Sequence, residues 1–226
     1  MSAELPPLRQ AIGKIDPRST ALLVIDMQRY FLQTDYPFGR FIAGMNPEGA
    51  EYYHRRVDEL VVPNTKRLLE GFRSRGAHVV FTEFGSARQD GLDMAGWARR
   101  HNAMARETLG SPVYPPFADD SCRVDDRLLP MAGELIVQKT TSGPLNSTRL
   151  DHTLRVLGVN TVVVGGVVTD VCVAQTTREF GDRNFDAIVV SDACATFDDQ
   201  TQEVTLTSIA NTFGFVASTN EILQVL

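Results

Sequence analysis

The sequence predicts an α/β protein in which a parallel sheet is sandwiched between two layers of helices. Two observations carry this expectation. Runs such as Ala21-Leu22-Leu23-Val24-Ile25 and Thr161-Val162-Val163-Val164 are almost wholly apolar, as strands buried on both faces must be. Segments with helical spacing alternate with these runs along the chain, the order that βαβ units require.

Residues 21–25 are the first strand. Residues 53–75 carry Val57, Leu60, Val61, Leu68, Leu69 and Phe72 at helical spacing and read as one long amphipathic helix, which Pro63 is placed to kink or divide. Gly76 ends that helix, and residues 78–82 are the second strand. Residues 134–138 are the third. A helix over 148–157, closed by Gly158, leads to the fourth strand at 161–164. A helix over 173–183 leads to the fifth strand at 186–190, and a helix over 201–212 to the sixth at 213–217. Two segments break the rhythm. Residues 33–50 carry Pro37, Gly39, Gly44, Pro47 and Gly49 around Phe38 and Phe41. Residues 85–120 carry Arg88, Trp97, Arg99, Arg100, His101, Arg106 and Tyr114. Insertions of this composition suit a lid or substrate wall, and equally a surface excursion or an oligomer contact.

A chain of 226 residues, 43% of them hydrophobic, fits one globular domain over 1–226 carrying those two insertions. The net charge of −6 provides no electrostatic footprint for nucleic acid. Three cysteines, Cys122, Cys172 and Cys194, do not make a disulfide framework, and a reducing cytoplasm is the simpler expectation. The opening Met1-Ser2-Ala3-Glu4-Leu5-Pro6-Pro7 lacks the basic and apolar regions of a signal peptide, and no apolar run approaches a membrane span. No membrane partner is therefore expected.

The chemistry is expected beyond the carboxyl ends of the strands, where ligands bind in open parallel sheets. The segment Gly165-Gly166-Val167-Val168-Thr169-Asp170-Val171-Cys172 joins the fourth strand to a helix. A thiol there would feel the positive end of the helix dipole, which favours the thiolate. A small core residue closing a βα turn is an equal reading of this segment alone. Asp26 ends the first strand and Lys139 the third, so an acid, a cation and a thiol stand on one rim. Singly, Asp26 could cap a helix and Lys139 could be a solvated charge; together they are the parts of covalent catalysis. If the third strand lies at the sheet edge, Lys139 must lean inward, because neighbouring strands are about 4.8 Å apart. Asp170 reads as a turn or capping residue, Cys194 as a small core or near-site residue, and Cys122 as structural or surface. His54, His78, His101 and His152 are scattered, and no Asp/His cluster has metal-ligand spacing.

Four ordered segments resemble the isochorismatase-like cysteine hydrolases. They are Ala21 to Gln28, Val137 to Thr140, Gly165 to Val173, and Val189 to Thr196. The resemblance implies a six-stranded parallel sheet of order 3-2-1-4-5-6 and a triad of Asp26 as general base and acid, Lys139 as electrostatic partner and Cys172 as nucleophile. It also implies a cis peptide between Val167 and Val168, with the Val168 and Cys172 N–H groups forming an oxyanion hole. The metal-binding Asp and His pair of the nicotinamidase branch has no counterpart, so neither a metal nor another cofactor is expected. The stretch from Lys139 to Thr148 is similar to the ureide-processing branch, with Leu145 where many relatives have Phe. That implies hydrolysis of a small amide or ureide through a thioester. Gln28, Phe31, Trp97, Thr169 and the arginines of the second insertion are candidates for substrate contact. Two alternatives remain: vinyl ether hydrolysis with Asp26 as general acid, and a non-catalytic binding protein on the same fold. Relatives are commonly oligomers, so a homodimer or homotetramer is expected.

Overall fold

A computed structural model describes residues 12–226; the N-terminal heptapeptide read for a signal peptide lies outside them. The six strands are β1 (Thr20–Ile25), β2 (His78–Phe84), β3 (Leu135–Lys139), β4 (Thr161–Val167), β5 (Asp186–Ala195) and β6 (Phe215–Ala217). They form one sheet in the order β3-β2-β1-β4-β5-β6, and every pairing is parallel. The helices are α1 (Arg29–Leu32), α2 (Pro37–Met45), α3 (Pro47–Arg56), α4 (Val62–Ser74), α5 (Gly96–Leu109), α6 (Leu150–Val156), α7 (Ala174–Gly181), α8 (Asp199–Thr212) and α9 (Thr219–Val225).

The strand period divides the core into two layers. Leu22 and Val24 of β1 face one side, where Phe38, Phe41, Tyr53, Leu68, Phe72 and Ile222 cover the sheet. Ala21, Leu23 and Ile25 face the other, against Leu150, Leu154, Phe180 and Ile209. Strand β3 is an edge, and its outward Ile136 is exposed. No described helix is long and apolar enough to cross a membrane.

Three elements differ from the sequence-based expectation. The segment 33–50, read only as a break in the βα rhythm, is mostly helical. Pro37 and Pro47 each occupy the first turn of a helix, where the missing N–H costs nothing, and Phe38 and Phe41 are buried in the core. The long helix begins at Pro47 and contains a π-helical turn, Val57–Val61, just before Pro63. In that turn the Val62 N–H reaches back to the Val57 carbonyl. Strand β5 continues past Val190 to Ala195, with a register shift between the pairs Val164–Val189 and Gly166–Cys194.

The close approach of β4 to β1 depends on Gly166. Its φ is 125°, and a Cβ there would lie 2.1 Å from the Ile25 carbonyl oxygen. Gly166→Ala therefore combines a glycine-only conformation with a backbone collision and is expected to cost on the order of 3 kcal/mol. Urea denaturation should read this as a lower midpoint, with the slope unchanged.

Candidate active site

Asp26 follows the last residue of β1 and is fully buried. Its φ of 52° lies in the left-handed region, which Asp tolerates better than most residues. The Gln28 N–H donates to the Asp26 carbonyl at 2.8 Å, closing a tight turn off the strand. Thr82 of β2 meets Asp26 twice. Its hydroxyl accepts the Asp26 N–H at 3.0 Å and donates to Asp26 Oδ1 at 2.6 Å. One carboxylate oxygen is thereby held, and Oδ2 is left for the cation.

Lys139 ends the edge strand β3 beside Phe84, its register partner on β2. Its stem leans inward, as an edge position requires. The ammonium passes 4.7 Å from the Phe84 ring centroid and donates to Asp26 Oδ2 at 2.7 Å. Its other donors meet the carbonyls of Ser142 at 2.9 Å and Thr141 at 3.2 Å. Cys172 Sγ lies 3.5 Å from Lys139 Nζ. The ion pair is wholly buried. Burial by itself pulls the ammonium's pKa down. The charge of Asp26, with further help from Cys172, outweighs this and leaves it above its ordinary value.

Cys172 is 2% exposed and sits inside a π-helical turn, Thr169–Val173, that runs directly into α7. The peptide between Val167 and Val168 is cis. The expected lowering of the thiol's pKa by the helix dipole is reversed. Burial pushes the Cys172 thiol far above its usual range; Lys139 pulls it down, and the charge and hydrogen bond of Asp26 push it up. Desolvation of the anion wins over helix dipole and ammonium, so the resting group is a thiol that needs a base. Asp26 shares the Lys139 ammonium with Cys172 and is the candidate for that base.

The remaining candidates separate. Gln28 is fully buried, and its amide is spent on the scaffold. Its Nε2 donates to the carbonyls of Phe84 at 3.1 Å and Cys122 at 2.6 Å, and its Oε1 accepts the Phe84 N–H at 2.9 Å. It therefore ties the ends of β1 and β2 to the segment around Cys122 and has little left for a substrate. Phe31 is buried in an aromatic cluster, 4.7 Å from Phe38 and 6.5 Å from Phe84 between ring centroids. Trp97 of α5 stacks on Phe84 at 5.6 Å and 8°. Thr169 lies in the same turn as Cys172, and its buried hydroxyl has no partner. The arginines of the second insertion do not join the group. Arg88 pairs with Asp90, and Arg99, Arg100 and Arg106 are exposed along α5.

Asp170 accepts the Thr196 hydroxyl at 2.5 Å, tying the turn to the residue after β5. Cys194 is a buried core thiol 3.1 Å from the Val190 carbonyl, and Cys122 is buried beside the Gln28 amide. Among the described residues no group of His, Cys, Asp and Glu could hold a metal ion.

Sequence reasoning missed Thr82, Phe84 and Tyr53, and named Tyr114 only within the second insertion. Thr82 and Phe84 were within reach, because they end the second strand on the same rim. Tyr53 and Tyr114 come from distant helix and loop positions. Both are buried beside this cluster, and burial followed by the Cys172 charge raises the pKa of each phenol. The Tyr53 hydroxyl is buried without a partner, whereas that of Tyr114 lies 3.0 Å from His101 Nδ1.

A doubly wound parallel sheet with acid, ammonium and thiol at its carboxyl rim describes a hydrolase of the three-layer α/β/α class. The chain matches the isochorismatase domain over residues 20–221, and it belongs to that family. A ureidoacrylate amidohydrolase of Caulobacter vibrioides is 30% identical, covering 94% of this chain and 93% of its own. N-carbamoylsarcosine amidase of an Arthrobacter species is 25% identical over 91% of this chain and 70% of its own. The crystal structure of a cysteine hydrolase from Pseudomonas syringae pv. phaseolicola superposes with a TM-score of 0.80 at 28% identity, covering 100% of this chain and 98% of that one.

Two substitutions should move the thiol in opposite directions. Asp26→Asn removes the charge and the acceptor that raise the thiol's pKa, so iodoacetamide should label Cys172 at lower pH than in the parent. Lys139→Met removes the charge that lowers it, so labelling should move to higher pH. Peptide mass spectrometry after timed labelling between pH 7 and 10 reads both.

Proposed function

We propose that this chain is a metal-independent cysteine amidohydrolase that cleaves a C–N bond of a small amide or ureide through a thioester. The observation that carries the proposal is the buried contact among Asp26, Lys139 and Cys172, with Lys139 Nζ 2.7 Å from Asp26 Oδ2 and 3.5 Å from Cys172 Sγ. The low identity to named amidohydrolases supports the reaction class and leaves the substrate to the site itself.

Asp26 takes the Cys172 proton as the sulfur attacks the carbonyl carbon, and Lys139 stabilises the sulfur's developing charge. The carbonyl π electrons move to oxygen, which the Val168 and Cys172 N–H groups hold. The tetrahedral intermediate collapses with loss of the C–N bond. Asp26 returns its proton to the leaving nitrogen, and ammonia or an amine departs. Asp26 then removes a proton from water as that water attacks the thioester. Collapse returns the proton to sulfur and releases the acid or carbamate.

The thiol also favours this reading over vinyl ether hydrolysis, which needs an acid but no nucleophile. Phe31, Phe84, Trp97 and Tyr114 form an aromatic wall, and the hydroxyls of Tyr53 and Thr169 are available to polar atoms of the substrate.

Cys172→Ser is expected to remain folded and to lose at least about 10³-fold in kcat, because serine is a far weaker nucleophile without a stronger base. The measurement is ammonia release across a panel of small amides and ureides. Substantial turnover by the serine variant would reject the thioester route. An acyl adduct on Cys172 in intact-protein mass spectrometry is the direct signature. Activity on the same panel should be unchanged by a chelator.

A further inference from the structure

Lys139 carries three N–H donors, and its ammonium reaches four acceptors: Asp26 Oδ2, Thr141 O, Ser142 O and, at 3.5 Å, Cys172 Sγ. Two of those four acceptors belong to the loop between β3 and α6. The position of this loop therefore decides where the ammonium sits between the acid and the thiol. The loop is polar and holds itself together with short-range hydroxyl bonds. Thr141 Oγ1 meets the Gly143 carbonyl at 2.7 Å and Ser147 Oγ at 2.9 Å, and Thr148 Oγ1 meets the Pro144 carbonyl at 2.8 Å. Those bonds shape the loop without fixing it to the rest of the protein.

Near the loop's start the Ala95 N–H donates to the Thr140 carbonyl at 3.1 Å, and the middle of the loop is held by Glu179. This glutamate lies on α7, the helix that grows out of the cysteine turn, and is 5% exposed. Its carboxylate accepts the Leu145 N–H at 2.9 Å and the Asn146 side-chain amide at 2.5 Å, with Gln175 Nε2 at 3.4 Å. The loop comes close enough only because residue 143 is glycine. A Cβ there would lie 2.3 Å from the Glu179 carboxyl group. No cationic side chain among the described residues pairs with this carboxylate. Burying a carboxylate is costly, and here the charge is met by neutral donors, most of them from one loop. Glu179 is seven residues beyond Cys172, two helical turns along the same helical run, so one rigid element carries the thiol and the loop attachment.

We propose that Glu179 is a positioning residue. It latches the loop between β3 and α6 onto the nucleophile's helix, so that the Thr141 and Ser142 carbonyls hold the Lys139 ammonium between Asp26 and Cys172. This rests on the amidohydrolase reading of the site. Removing the latch displaces the ammonium without touching any group that contacts the substrate. The loss therefore falls on kcat, by up to about 10²-fold for a displacement near 1 Å, with KM little changed. It also withdraws a positive charge from the thiol.

The experiment compares Glu179→Ala, Glu179→Gln, Gly143→Ala and Asn146→Ala with the parent, using ammonia release from the best compound of the panel and iodoacetamide labelling of Cys172 from pH 7 to 10. Glu179→Ala and Gly143→Ala, one from each side of the latch, should lower kcat and displace the labelling profile to higher pH by about one unit. Glu179→Gln keeps one carbonyl acceptor and should lie between. A loop that is merely loosened would speed labelling at every pH without displacing the profile. If the Glu179 and Gly143 variants fold by circular dichroism and keep the parent's kcat and profile, the latch is wrong. If they do not fold, Asn146→Ala, at an exposed position, decides: parental kcat and profile overturn the proposal, and a smaller shift in the same sense supports it. Turnover that survives Cys172→Ser defeats the amidohydrolase reading. Cys172-dependent turnover that ignores all four substitutions defeats only the latch.

Discussion

The buried ion pair between Lys139 and Asp26 is the constraint around which the rim is organised. Two charges taken out of water are tolerated only when every remaining donor and acceptor is satisfied, and leaving either one alone costs about 3–5 kcal/mol. The surrounding contacts meet this demand. Thr82 fills Asp26 Oδ1, two loop carbonyls fill the ammonium, and the Phe84 ring lies against its charge. The pair also spans the sheet. It connects the edge strand to β1 across β2, so the chemistry of the rim and the register of three strands are one problem.

The thiol inherits its properties from that pair. Cys172 is too buried to ionise at rest, even with an ammonium 3.5 Å away and a helix beginning beneath it. Burial and the charge of Asp26 push the sulfur's pKa up, while Lys139 pulls it down.

Much of this was legible in the sequence. Double-sided apolar strands gave away the parallel sheet, and a parallel sheet gave away the rim. Asp26, Lys139 and Cys172 each stand at or just beyond a strand end, so the strand assignments alone nominate them. Less legible were the segments whose fate depends on what they pack against. Pro37 and Pro47 look like breakers until their neighbours show them to be helix starts. Gln28 looks like a substrate contact until the carbonyls of Phe84 and Cys122 claim its amide.

What the sequence determined by itself is the sheet, its strands and the residues at their carboxyl ends. Local periodicity encodes these, and periodicity needs no partner to be read. What only the tertiary structure decided is the electrostatic state of the site. Whether Cys172 rests as thiol or thiolate depends on the balance between desolvation and two nearby opposite charges. That balance is set by distances between residues more than a hundred positions apart in the case of Asp26 and Lys139. The burial of Glu179 belongs to the same class. A glutamate on a helix is usually solvated, and only the fold, by laying a glycine loop against it, buries it.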